Sequence, residues 1–315
     1  MERIEKAIDS LLINTKAELF SRIDAVSLDI PIEETNAICH CYTIKCDSND
    51  NLRVNDLIDF IDEKILDYAI PKKEIDEAHA YLNETGSTSK LMKLRRKALT
   101  LFTDLKKTGE GGELLLYILI IEVLKIPQLI SKMSLKTSGQ LHYQGSDGIH
   151  VKYDNINNTL NLYWGESKMY STISTGISEC FKSLKGYLLD SYSFKSTQER
   201  DLDLITDNIH KNVNNKEYED LIVAYFDKDN DLSNNLVYKG VCFIGYDFKD
   251  YSNLNISKTL EEIKNSISSE LLKHYKALSK NIKKYPKLDT KEIHIFLIPF
   301  PSVDKFRKYY LEILE

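Results

Sequence analysis

Gly145-Ser146-Asp147-Gly148-Ile149-His150-Val151, followed by Leu160-Asn161-Leu162-Tyr163-Trp164-Gly165-Glu166-Ser167-Lys168, is the stretch that decides the fold. Both segments alternate as strands do. Successive side chains of a strand point to opposite faces. Asp147, Ile149, Val151 and Tyr153 therefore share one face of the first strand, and Leu160, Leu162, Trp164, Glu166 and Lys168 one face of the second. A tight hairpin centred on Ile156-Asn157 sets Tyr153 opposite Leu160, Val151 opposite Leu162 and Ile149 opposite Trp164. Asp147 then falls opposite Glu166. Every apolar pair matches, and two acids meet at the open end. Charge on the core-facing side of a sheet is costly unless it is paired or bound to a metal. Two acids and Lys168 at that place mark a candidate active site.

Outward from the hairpin, the element pattern is mixed. Gly109-Glu110-Gly111-Gly112-Glu113 opens an apolar helix over residues 114–124. Strands are expected at 140–143, 147–153 and 160–168, then a helix at 173–190 and a polar helix at 198–210. Apolar, β-branched and aromatic runs predict strands at 221–226 and 236–246. A long amphipathic helix follows at 260–282, a strand at 292–298 stopped by Pro299 and Pro301, and a last helix at 303–314. Toward the N-terminus, an amphipathic helix is expected over 1–25 and a strand over 37–45. Helices follow at 54–69 and 72–82, then a linker at 83–89 and a basic helix at 90–104. The order helix, three strands, helix, strand describes an α/β layered fold. We expect a helical and strand-bearing N-terminal region at 1–85 and a catalytic domain at 90–315, with extra strands and helices at its C-terminal end.

Composition narrows the class. The 315 residues are 42% hydrophobic and 10% aromatic, which is enough for a real core. A net charge of -6 argues against a tight, free-standing nucleic-acid binder. It does not argue against a nuclease, because an acidic metal site itself lowers the charge. Five cysteines suggest reduced thiols in a cytoplasm, and the charged start Met1-Glu2-Arg3-Ile4-Glu5-Lys6 reads as no signal peptide. The longest apolar run, 114–121, is far short of the ~20 residues that cross a bilayer. Cys39-His40-Cys41 with Cys46 fits no zinc spacing and reads as ordinary strand sequence. Asp227-Lys228-Asp229-Asn230-Asp231 imitates a calcium loop, but Leu232 and Tyr238 occupy the glycine and glutamate positions of that loop. It is expected to be a polar hairpin loop between two strands.

Cleaving a phosphodiester needs a nucleophilic water, charge stabilisation at phosphorus and help for the leaving oxygen. A divalent cation held by carboxylates supplies these. Mg²⁺ takes oxygen ligands and keeps several waters, so one or two acids plus substrate suffice. Asp147 and Glu166 are the expected ligands, with the backbone carbonyl of Ser167 as a third, and Mn²⁺ is a possible substitute. Lys168 projects to the side of Glu166, where it can orient the attacking water. A further acid must come from outside the hairpin: Glu113 is the first choice, as metal ligand or water-holder, and Glu110, three residues earlier, the second. Glycines beside them permit close backbone approach and unusual dihedrals. Lys132, Lys136, Lys93 and Arg96 are candidate contacts to DNA phosphates, which give binding without sequence preference. His150 falls on the face opposite Asp147 and reads as a packing residue.

An acid on a first helix, an acid opening one strand and Glu-x-Lys ending the next resemble the PD-(D/E)xK nucleases. Asp147 matches the first acid and Glu166-Ser167-Lys168 the (D/E)xK; Ser146 stands where the pattern's name has proline. A wider string is more specific. It runs Gly109-Glu110-Gly111-Gly112-Glu113-Leu114-Leu115-Leu116-Tyr117, then Ser131-Lys132-Met133-Ser134-Leu135-Lys136-Thr137, then the hairpin segments quoted above. Together these resemble the HamA family, nuclease subunits of the bacterial Hachiman anti-phage system, over about residues 90–190. The resemblance implies a restriction-endonuclease-like core and a Mg²⁺-dependent DNA-degrading effector. It also implies restraint by a helicase partner, HamB, and release when that partner meets phage or damaged DNA. No membrane and no small-molecule cofactor are expected. Two competing expectations are a non-catalytic adaptor that binds the helicase and DNA, and an RNA-cleaving enzyme on the same fold.

Overall fold

The structure is a computed structural model that describes residues 2–13, 15–102, 109–131, 133, 145–189 and 196–314. The chain begins with helix α1 (Glu2–Asp9) and an antiparallel pair, β1 (Ile23–Pro31) and β2 (Ala37–Ile44). Four helices follow: α2 (Val54–Glu63), α3 (Ile65–Ala69), α4 (Lys72–Thr85) and α5 (Ser89–Leu99). Helix α6 (Glu110–Leu119) leads into β3 (Gln128–Ile130), β4 (Gly148–Asp154) and β5 (Thr159–Tyr170). Then come α7 (Ile173–Leu188), α8 (Thr197–Asn208), α9 (Lys216–Val223) and β6 (Leu236–Asp247). Helix α10 (Leu260–Ile282), β7 (Ile293–Phe300) and α11 (Val303–Leu314) end the described chain.

All seven strands lie in one sheet, ordered β1-β2-β7-β6-β5-β4-β3. The β5/β6, β6/β7 and β2/β7 pairs are parallel; the two flanking ribbons are antiparallel. Parallel neighbours need crossovers, and α7 and α10 supply them. Each strand of the centre is apolar on both sides, so the sheet is covered twice. One face buries Leu160, Leu162, Trp164, Ile244 and Leu297 against α7 and α10. The other buries Tyr163, Phe243, Phe296 and Ile298 with residues of α2, α6 and α11.

The hairpin register is the expected one: Ile149 pairs with Trp164, Val151 with Leu162 and Tyr153 with Leu160. Asp154 caps the turn by accepting the N–H groups of Ile156 and Asn157 at 3.0 and 3.1 Å, and Asn158 takes a left-handed φ of 57°. Elsewhere the structure corrects the expectation. The first helix stops at Asp9, and residues 23–31 form β1, whose alternation is broken by irregularities at Ser27 and again before Ile30. Residues 221–226 are not a strand. Asn215 caps α9 by accepting from Glu217 and Tyr218, and the helix consumes Leu221 to Val223. The acidic loop at 227–231 therefore joins a helix to β6 rather than two strands. The apolar helix begins at Glu110 and widens to a π-helical turn over Ile120–Leu124. Pro299 lies within β7, past Leu297 where the ladder to β2 has ended, so its missing N–H is tolerated.

The strand expected at 140–143 lies outside the described residues; the third strand of the meander there is β3. The expected linker at 83–89 is shorter, since α4 runs to Thr85 and Gly86, at φ 71°, ends it. Strands from before and after that point share the sheet, because β2 runs beside β7.

Candidate active site

Asp147 stands one residue before β4. Its N–H donates to the Gly165 carbonyl at 2.9 Å, and its Oδ2 accepts the Ser167 N–H at 2.7 Å. A side chain thus extends the ladder one step beyond the backbone pairing and fixes the carboxylate beside Glu166-Ser167-Lys168. Glu166 continues the apolar face of Leu160, Leu162 and Trp164 and is 4% exposed under α7. It forms an ion pair with Lys168. Burial, and then the neighbouring Asp147 charge, push the Glu166 carboxyl up to about 8. Burial works against the Lys168 ammonium, but Glu166 and Asp147 outweigh it and hold that group above its ordinary range. Among the described residues, Lys168 is the cation whose charge acts on Glu166, and both acids act on Lys168 in turn.

The second wall comes from the other face of the sheet. Tyr68 of α3 turns its hydroxyl toward Glu113 Oε2 at 3.3 Å and the Asp147 carbonyl at 3.5 Å. Ser131 holds the Tyr68 backbone by donating to its carbonyl at 2.9 Å. Glu113 is half-buried in the first turn of α6, where the helix dipole favours an acid. Glu110 is buried, and its charge is felt by Tyr68 and Tyr310. The neighbouring glycines serve packing. A Cβ on Gly112 would meet Ser167 Oγ at 2.7 Å, and one on Gly111 would meet the Tyr310 ring at 3.1 Å. Close approach of α6 to β5 and α11 is the expected use of these residues. Unusual dihedrals are not: among the described glycines only Gly86 has a positive φ.

Two groups that touch the candidate site carry no signal in the sequence. Ser146, just before Asp147, donates its N–H and Oγ–H to Asp201 Oδ2 at 3.3 and 3.0 Å. Asp201 comes from α8 and is fully buried. Nothing in that polar stretch distinguishes it from Asp203 or Asp207. Tyr68 likewise carries no local pattern that ties it to residues 45 and 79 positions away.

The remaining candidates divide. Lys93 and Arg96 are exposed on α5, while the other basic residues of that helix are engaged: Arg95 with Asp62, Lys97 with Glu74, and Lys90 over the Tyr81 ring. Lys132 and Lys136 lie outside the described residues. His150 is fully buried, its Nδ1 lies 3.1 Å from the Ile126 carbonyl, and burial brings its pKa down to about 4, as fits a neutral packing residue. Cys39 and Cys41 are buried in the core on the α10 side, consistent with strand residues.

Among the described residues, no three His, Cys, Asp or Glu side chains are grouped so as to hold a metal ion. The oxygen donors gathered at the hairpin mouth are two carboxylates and one carbonyl. An extended residue aims its N–H and C=O at the same strand edge. Ser167 already aims its N–H at Asp147, so its carbonyl lies along the same edge. Such a donor set suits Mg²⁺, which needs few protein ligands and keeps its waters.

A two-faced α/β sheet with an acid–acid–lysine cluster at the open end of one hairpin defines the class. A family model for HamA matches residues 19–314, nearly the whole chain, and the chain belongs to the HamA family. Membership makes it a subunit of the Hachiman anti-phage defence type. No curated protein matches the chain. Among the described residues, no helix is long and apolar enough to cross a membrane.

Proposed function

We propose that the chain is the nuclease effector of its defence system, a Mg²⁺-dependent deoxyribonuclease on a restriction-endonuclease-like core. The observation that carries this is the meeting of Asp147, Glu166 and Lys168 at one hairpin mouth, with Asp147 locked to the Ser167 N–H. A bound divalent cation would supply charge for the phosphate oxygens and a more acidic water. Asp147, Glu166 and the Ser167 carbonyl would hold it. Glu113, linked to Asp147 through Tyr68, would hold a coordinated water, with Glu110 as the alternate. Lys168, kept charged by its two acids, orients the attacking water and favours its deprotonation. Lys93, Arg96, Lys132 and Lys136 would contact phosphates, giving cleavage with little sequence preference. In the cell the chain would work in the cytoplasm, restrained by the helicase HamB.

Incubation of supercoiled plasmid with the protein and Mg²⁺, with and without the helicase and ATP, tests this. Lys168→Ala should lower nicking by at least about 100-fold while the melting temperature stays within a few degrees. Undiminished nicking by that variant refutes the assignment. One observation favours a second reading: no three metal-ligating side chains are grouped among the described residues. A non-catalytic adaptor would bind DNA and helicase without binding Mn²⁺ and would protect against phage equally well as Glu166→Gln.

A further inference from the structure

Between Glu270 and Asp289 the chain carries six lysines and no acid, although its acids outnumber its basic residues 48 to 42. Lys273, Lys276 and Lys280 are exposed on α10, and Lys283, Lys284 and Lys287 are exposed in the turn that continues it. The spacing of Lys273, Lys276, Lys280 and Lys284 is three, four and four, which keeps them on one helical face. Leu271, His274, Leu278 and Ile282 take the opposite face into the core. The row is about 16 Å long at the rise of an α-helix.

These ammonium groups are largely uncommitted. Lys283 pairs with Glu34, and Lys284 donates to Asn281 at 2.8 Å. Among the described residues, no acid lies within ion-pair distance of Lys276, Lys280 or Lys284. Lys276, Lys280, Lys283 and Lys284 line an open groove of about 810 Å³, with Ile30 and Pro31 of β1 and the acids Glu33 and Glu34 also lining it, so four lysines there outnumber two acids, one of which is the partner of Lys283. Lysine is a compact point charge that suits phosphate oxygens. Tyr275 gives its hydroxyl to Ser27, and Tyr285 lies beneath Lys185, so the aromatic rings there are engaged within the protein. The surface is a row of charge without a base-stacking platform.

The row is remote from the candidate active site. Helix α10 packs against both α7 and β1, and its lysine row lies on the β1 side with Ile30 and Pro31; β1 is four strand spacings, or roughly 19 Å, from β5. We propose that the C-terminal half of α10 and the lysines after it form a nucleic-acid backbone-binding surface separate from the hairpin mouth. It grips the polyanion by charge alone, without regard to sequence, and holds whether or not the hairpin mouth cleaves.

Each phosphate neutralised on duplex DNA steepens the salt dependence of log K by about 0.9. The full chain is therefore titrated in EDTA against a fluorescein-labelled duplex of about 30 base pairs, read by anisotropy between about 50 and 200 mM NaCl. The combined variant Lys276→Gln, Lys280→Gln, Lys284→Gln should flatten the slope by about 2.7 and weaken binding at the lowest salt by at least about tenfold. Lys216→Gln, at an exposed lysine of α9 paired with Glu219 and Asp220, should leave the slope alone. If the combined variant does not fold, Lys280→Glu alone should still flatten the slope by about one. Failure of the wild type to bind, or an unchanged slope in the variants, overturns the proposal. So does loss of helicase binding with DNA binding intact, which would give the surface to an acidic protein partner. EDTA silences metal-dependent cleavage, so this outcome is independent of the plasmid assay.

Discussion

Two glutamates on the same sheet are driven in opposite directions. Glu292, before β7, accepts from Lys239 at 2.7 Å and from the Tyr163 hydroxyl at 3.4 Å, with His294 Nε2 at 3.5 Å. The His294 contact, helped by Lys239 and opposed by burial, holds its carboxyl down at about 2. The network continues inward. His294 Nδ1 faces His40 Nε2 at 3.2 Å, and His40 Nδ1 accepts the Asp29 N–H at 3.4 Å. Burial lowers His40 to about 4, so this ring is neutral and each nitrogen has one role. Glu166, three residues beyond Tyr163 on β5 and on the opposite face, is instead buried beside a second acid and pushed up to about 8. The first glutamate is surrounded by donors that favour its charged form. The second is buried against a like charge, an arrangement that marks a candidate functional site.

Exchanging each for glutamine breaks the comparison most sharply. Glu166→Gln should cut plasmid nicking by about 100-fold or more with a melting temperature at or above wild type. Glu292→Gln should melt lower and nick normally. If both variants lose stability and keep activity, the contrast is false. Next in size, Asp201→Ala removes the buried acceptor of Ser146 and should cost about 1–3 kcal/mol in denaturant unfolding, with slower nicking because the residue preceding Asp147 loses its anchor. Tyr68→Phe, which deletes the hydroxyl between Glu113 and Asp147, should cost only about 0.5–1.5 kcal/mol and lower the rate several-fold without changing the DNA affinity.

The smallest effect is one of pH. A carboxyl held below its ordinary range stabilises the fold fully above that range and loses its contribution as pH falls toward the folded value. The stability gap between wild type and Glu292→Gln should therefore be open at neutral pH. It should close between about pH 5 and pH 2 in denaturant titrations. A gap that widens on acidification would contradict the assignment of Glu292 to the charged, hydrogen-bonded state.

What was legible in the sequence was local. The hairpin register could be read because three apolar pairs fix it, and a slip of one residue would send every one of them to the wrong face. Helix α10 matches its expected bounds, and the reciprocal capping box of Thr259 and Glu262 shows why it starts where it does. Strand β1 was illegible because it is an edge strand whose irregularities destroy the period of two. Residues 221–226 offered an apolar run too short to separate helix from strand, and the deciding cap, Asn215, lies six residues upstream. In the candidate site, the meeting of Asp147, Glu166 and Lys168 was legible because one ribbon brings them together. The contacts of Tyr68 and Asp201 were not, because only the tertiary fold makes them.

Isothermal titration of Mn²⁺ into the metal-free wild type, Glu166→Gln and Glu292→Gln tests the central claim most directly. Binding is expected for the wild type and for Glu292→Gln, and loss of binding for Glu166→Gln. Absence of binding to the wild type, or equal binding by Glu166→Gln, would contradict it.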